Sequence, residues 1–124
     1  VVSAPASNLV QVYVFDDTNN DWTEPDDIVP NENTSDQFGR LVSLSGDGNR
    51  VAIAASTNVY IYENDDSTTG TWNVIYDVSD VAADTAISLA KDGKTLAITS
   101  NSLASQTGST IKVYKQDTAT NTPS

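Results

Sequence analysis

Short apolar runs alternate with polar stretches along most of the chain, and no run sustains the 3.6-residue period of an amphipathic helix. The runs are β-branched and aromatic. Val12-Tyr13-Val14-Phe15, Val59-Tyr60-Ile61-Tyr62 and Ile111-Lys112-Val113-Tyr114 all suit a pleated surface packed against neighbours. Val51-Ala52-Ile53-Ala54-Ala55 and Leu96-Ala97-Ile98 are apolar on both faces, with alanine on one side, as expected of strands sandwiched between two layers. The pattern predicts an all-β chain with almost no helix.

The pattern also repeats. The segment from Ser43 to Ala54 aligns without a gap with the segment from Ser88 to Thr99, 45 residues further on. Each copy reads as a hairpin, with one apolar strand, a two-residue primed turn at Asp47-Gly48 or Asp92-Gly93, and a second apolar strand. Turn chemistry accounts for these aspartates without a metal. The aromatic strand follows in every copy, and then a polar loop leads to Trp22 or Trp72, 50 residues apart. The partly alternating segment Trp72 to Val78 fits an outer strand with one wet face. Its counterpart contains Pro25, which lacks an N–H for a ladder and is best tolerated at an edge.

The order per repeat is therefore inner strand A, tight turn, strand B, strand C, polar loop and outer strand D. Four antiparallel strands in about 45 to 50 residues is the size of one β-propeller blade. Residues 1–37 are expected to supply strands B, C and D of a partial blade, residues 38–82 a complete blade, and residues 83–124 strands A, B and C of a third. About two and a half blades fall short of the roughly four to eight that close a propeller. The chain is accordingly expected to be part of a longer one, or else to close against copies of itself.

Phe38-Gly39, Val42-Ser43-Leu44-Ser45-Gly46-Asp47-Gly48, Val51-Ala52-Ile53-Ala54-Ala55 and Val59-Tyr60-Ile61-Tyr62 together resemble the FG-GAP repeat of integrin α-like β-propellers. Ser3-Ala4-Pro5 is similar to the GAP element of a preceding repeat. The third copy departs from the pattern, with Ala83-Asp84 in place of Phe-Gly and Thr99-Ser100-Asn101 in place of Gly-Ala-Pro. The aspartate-rich calcium loop of the family is missing between strands A and B, so that metal site does not carry over. The resemblance implies an extracellular, secreted or cell-surface setting and a non-enzymatic structural or adhesive role.

Composition narrows the chemistry. Six basic residues against 17 acidic ones give a net charge of −11, which repels phosphate backbones and anionic lipid and argues against a nucleic-acid partner. No apolar run approaches the roughly 18 residues of a membrane span. There is no cysteine, histidine or methionine, which removes disulfides, thiolate nucleophiles, histidine general bases and the usual zinc ligands within these residues.

Three candidate sites remain. Asp17, Asn19 and Asp21 have the alternating oxygen spacing of a calcium loop, yet Trp22 stands where such loops put glycine and no bidentate glutamate follows. A solvated turn explains them more simply, and no other cofactor is expected. Asn33-Thr34-Ser35 is an N-glycosylation sequon. Trp22 and Trp72 can stack on sugar rings, although their repeated position fits blade packing. The expected partners are other protein chains or further blades, with glycans as the alternative and a carbohydrate-binding or glycan-processing propeller as the alternative function.

Overall fold

The structure is a computed structural model that describes residues 1–30, 37–65, 71–79, 86–100, 110–117 and 122–123. It begins with β1 (Val2–Ala4), a single 3-10 turn at Pro5–Ser7, and β2 (Leu9–Val12). Next, β3 (Phe15–Asp16) and β4 (Asp21–Trp22) pair only with each other, and β5 (Asp26–Ile28) returns to the edge of β2. The second sheet is a four-stranded antiparallel meander of β6 (Leu41–Leu44), β7 (Arg50–Ala54), β8 (Val59–Asn64) and β9 (Trp72–Val78). The third repeats that order with β10 (Ala86–Leu89), β11 (Thr95–Ser100), β12 (Thr110–Asp117) and β13 (Thr122–Pro123).

The chain is thus all-β among its described residues, built of antiparallel sheets. The 45-residue repeat is visible in the ladders: Ser43 faces Ala52 and Leu44 faces Val51, as Ser88 faces Ala97 and Leu89 faces Leu96. The outer strands β5 and β9 lie at sheet edges as their sequences predict. Pro25 sits just ahead of β5, where no ladder donor is required.

Three expectations need correction. In the first copy strand C is Leu9–Val12, not Val12–Phe15. Val10 pairs with Ile28 as Val59 pairs with Val78, so Val10 is the counterpart of Val59. The longer run Leu9 to Phe15, apolar except at Gln11, offered two registers, and the one chosen puts Val10 and Val12 inside. Trp22 accordingly belongs to the separate β3–β4 hairpin rather than to an outer strand. Finally, the A–B turns hold four residues instead of two. Ser45 N–H donates to the Arg50 carbonyl at 2.9 Å and Gly48 N–H to the Ser45 carbonyl at 3.1 Å, with positive φ at Gly48 alone.

The third sheet reproduces this turn, with Ala90 N–H on the Thr95 carbonyl and Gly93 N–H on the Ala90 carbonyl, each at 2.8 Å. The aspartate serves through its side chain. Asp47 Oδ1 accepts from the Ser45 hydroxyl at 2.7 Å and from Asn49 N–H at 3.0 Å, and Asp92 Oδ1 accepts from Lys94 N–H at 2.9 Å.

The sheets pack face to face through two apolar cores. Val10, Val12 and Ile28 of the first sheet meet Val51, Ile53 and Tyr62 of the second, with Phe38 wholly buried between them. The other face of β7 carries Ala52 and Ala54, which join Val59 and Ile61 against Leu89, Leu96 and Ile98 of the third sheet. Strand β7 is therefore covered on both faces, as its unbroken apolar run predicts. Gly39 explains the Phe-Gly pair: at φ +91° a Cβ there would lie 3.1 Å from Val10 Cγ2 and 3.3 Å from the Leu9 carbonyl oxygen. The close approach of the first sheet and the positive φ together favour glycine there. The same junction is fixed by Phe38 N–H donating to Asn8 Oδ1 at 3.1 Å.

Candidate functional site

One polar cluster lies where the second and third sheets meet at their turn ends. Arg50 opens β7 and projects across this seam. Its Nε donates to Glu63 Oε2 at 2.6 Å, while Nη1 donates to the Gly93 carbonyl at 3.0 Å and to Gln116 Oε1 at 2.6 Å. A planar guanidinium serves this position because it can address a carboxylate in its own sheet and two oxygens of the next at fixed angles. Beside it is an open depression of about 320 Å³ lined by Asp47, Asn49, Arg50, Glu63, Asn64 and Asp65. The Ser45 hydroxyl, followed by the Asn49 N–H, holds the Asp47 carboxyl below the usual carboxylate range. These bonds hold a turn and a seam.

The second place is the β3–β4 hairpin. Asp16 organises its loop: Oδ1 accepts from Thr18 N–H at 2.9 Å, and Oδ2 accepts from the Asn19 side-chain amide at 2.6 Å. The Asn19 amide first, and then the Thr18 N–H, keep the Asp16 carboxyl below its ordinary range. Asn20 takes positive φ and Asp21 Oδ1 accepts from Trp22 N–H at 2.8 Å. Of the calcium candidates Asp17, Asn19 and Asp21, the latter two are thus engaged in hydrogen bonds within the hairpin. Among the described residues no group of three or more acidic side chains is gathered as a metal site.

Across the base of this hairpin Phe15 and Trp22 meet edge to face, with ring centroids 5.3 Å apart. Trp22 is 62% exposed. Trp72 differs, being half-buried against the first core, with its indole N–H 3.4 Å from Asp26 Oδ2 across the first seam. Of the two tryptophans, Trp72 therefore packs between sheets and Trp22 does not. The sequon residue Asn33 lies outside the described residues.

The third place is an apolar face. Ile111 pairs with Thr99 and Val113 with Ala97, as Val59 pairs with Ala54 and Ile61 with Ala52. The first sheet has the same arrangement, with Val10 opposite Ser3 and Val12 two residues further along β2. Val10, Val12, Val59 and Ile61 are at most 4% exposed, whereas Ile111 is 66% and Val113 54% exposed. The same surface is covered twice and open once.

Sequence reasoning missed Arg50 and Asn8. Arg50 interrupts the repeat, since Thr95 occupies the equivalent place in the third sheet. A basic residue at the start of an apolar strand was the available signal. No family model matches the chain, and no curated protein matches it. Among the described residues no helix is long and apolar enough to cross a membrane.

Proposed function

We propose that the chain is a non-enzymatic, extracellular structural or adhesive module made of FG-GAP-like β-propeller blades, whose work is to present faces and loops to protein partners or to further repeats. The observation that carries this reading is the exposure of Ile111 and Val113 at positions whose counterparts Val59 and Ile61 are buried. A repeat that buries its apolar face on the next one invites continuation. The polar clusters are occupied in holding turns and a seam, which favours a scaffold over a catalytic centre. Joining a second copy of residues 38–82 behind residue 124 tests the proposal. The added sheet is expected to cover the open face, raise the melting temperature and slow amide exchange in β12. A tandem protein that melts no higher, with β12 exchanging as before, overturns it.

Carbohydrate binding is a second reading, favoured by the exposed Phe15–Trp22 pair with Asp21 beside it. Sugar rings stack on open aromatic faces while carboxylates and amides receive their hydroxyls. Glycan-array binding that vanishes in Trp22→Ala and survives in Trp72→Phe supports this reading, and an array without signal removes it.

A further inference from the structure

The turns that open β7 and β11 occupy equivalent places in the repeat, and both carry Asp-Gly. Asp47 and Asp92 are exposed, and each precedes a glycine at positive φ, which has no side chain to shield its peptide nitrogen. The two glycine nitrogens are engaged alike. Gly48 N–H donates to the Ser45 carbonyl at 3.1 Å and Gly93 N–H to the Ala90 carbonyl at 2.8 Å. The two carboxyls are not held alike. Asp47 Oδ1 accepts from the Ser45 hydroxyl at 2.7 Å as well as from Asn49 N–H at 3.0 Å. That hydroxyl belongs to a residue only 4% exposed and is itself fixed by accepting from Arg50 N–H at 3.0 Å. At Asp92 the bond from Lys94 N–H is kept at 2.9 Å, but Ala90 stands in the place of Ser45 and brings no hydroxyl.

We infer that Asp92 is a site of spontaneous isomerisation to isoaspartate, and that the Ser45 hydroxyl protects Asp47 from the same reaction. A local opening of the turn frees the Gly93 nitrogen from the Ala90 carbonyl. The nitrogen attacks Asp92 Cγ, and the new C–N bond closes a succinimide ring while the amide proton and the carboxyl hydroxyl leave as water. Water then adds to the ring. Opening at Cγ restores aspartate, whereas opening at the main-chain carbonyl leaves Gly93 joined through the side chain. No oxidant, reductant or cofactor takes part, and the mass is unchanged. The step requires a carboxyl that can rotate onto the nitrogen and leave as water from its protonated form. Asp47 is restrained on both counts, because the Ser45 hydroxyl and then the Asn49 N–H pin its oxygen and favour its ionised form. Isomerisation at Asp92 also lengthens the main chain by one methylene inside the second seam. The Gly93 carbonyl there receives Arg50 Nη1 at 3.0 Å, and the Lys91 carbonyl receives Gly46 N–H at 2.7 Å. The modification therefore loosens the contact between the second and third sheets.

The test is to age the 124-residue chain in warm, mildly acidic buffer, folded and in urea, and to locate isoaspartate by peptide mapping with electron-transfer fragmentation. In urea the two Asp-Gly bonds should convert at similar rates. In the folded chain isoaspartate should accumulate several-fold faster at 92 than at 47. Ala90→Ser should slow position 92, and Ser45→Ala should bring position 47 up toward it. The converted wild-type fraction, separated by chromatography, should melt below the unconverted one. Equal rates in the folded chain, an excess at 47, or no isoaspartate at 92 where the urea-unfolded chain forms it, each overturn the inference. An Ala90→Ser chain that converts as fast as wild type removes the protective role of the hydroxyl without depending on the fold of Ser45→Ala. A converted fraction with an unchanged melting temperature removes the link to the seam.

Discussion

Arg50 donates from Nη1 to the main-chain carbonyl of Gly93 at 3.0 Å, reaching from the first residue of β7 into the turn of the neighbouring sheet. The same nitrogen reaches Gln116, and Nε is held by Glu63 at 2.6 Å. One side chain thereby links the turn end of the second sheet to the turn before β11 and to β12 of the third.

Replacing Arg50 by alanine is expected to destabilise the fold by about 1.5–3 kcal/mol, the range for hydrogen bonds made to charged groups. Arg50→Lys should recover less than half, because an ammonium cannot serve Glu63 and Gly93 together in the guanidinium geometry. Urea unfolding of the three proteins checks both statements, and a fully stable Arg50→Lys contradicts the second.

Gly46 is required by its neighbour. Its N–H donates to the Lys91 carbonyl at 2.7 Å, and a Cβ there would stand 2.3 Å from Lys91 Cγ and 3.0 Å from the Lys91 carbonyl oxygen. The lysine chain can swing aside, but the carbonyl belongs to the turn. Gly46→Ala should therefore cost about 1–3 kcal/mol through overpacking at the seam. Gly48→Ala meets no atom within 4 Å and is penalised for its φ of +77° instead, at about 1–2 kcal/mol. Gly46→Ala alone should speed amide exchange on both sides of the seam.

Alkaline pH reads the first core. Burial, with a smaller contribution from Tyr60, pushes the Tyr62 phenol from its ordinary 10.0 up to about 12. Between those values the unfolded chain gives up this proton while the folded chain keeps it. Stability is complete below the unfolded value and falls as pH rises toward the folded one. Tyr62→Phe retains the ring and removes that dependence. Thermal melts from pH 9 to 12 should show the wild type losing stability faster than the variant, and parallel curves rule the assignment out.

The two tryptophans should behave differently. Trp22→Ala, at an exposed hairpin, is expected to change stability by no more than about 0.5 kcal/mol. Trp72→Ala loses packing against the first core and the contact with Asp26, with an expected cost of about 2 kcal/mol, below the full range for a wholly buried ring. Equal effects in denaturant titrations would contradict the placement of Trp22.

The parts of the fold legible in the sequence were those fixed by local pattern. The run Val51 to Ala55 specified a strand covered on both faces because burial alone selects such composition, and the Asp-Gly turns fixed the hairpins because Gly48 and Gly93 need positive φ. Register in the first copy was not legible. Leu9 to Phe15 is apolar except at Gln11, so its pattern does not mark where β2 ends, and beyond Val12 the chain goes instead into the hairpin that pairs Phe15 with Trp22. The site was less legible still. Arg50 acts through Gly93 and Gln116, 43 and 66 residues away, and a single sequence carries no trace of such pairings. The open face of the third sheet emerged only once Ile111 and Val113 were set beside their buried counterparts.

At the inner strands of the second seam, Ser43 Oγ lies 2.9 Å from the Leu89 nitrogen and glycine replaces a side chain at position 46. Toward the outer strands the gap is filled by Tyr76 and Tyr114, whose ring centroids are 6.2 Å apart. Small residues on one side and large ones on the other make the second seam a wedge. The second and third sheets then splay apart toward their outer strands, with an opening angle written in side-chain volumes. Trimming an outer tyrosine would close that angle and thickening an inner serine would widen it. The angle between the second and third sheets is therefore tied to the difference in size between two ends of one interface, a quantity that single substitutions can adjust.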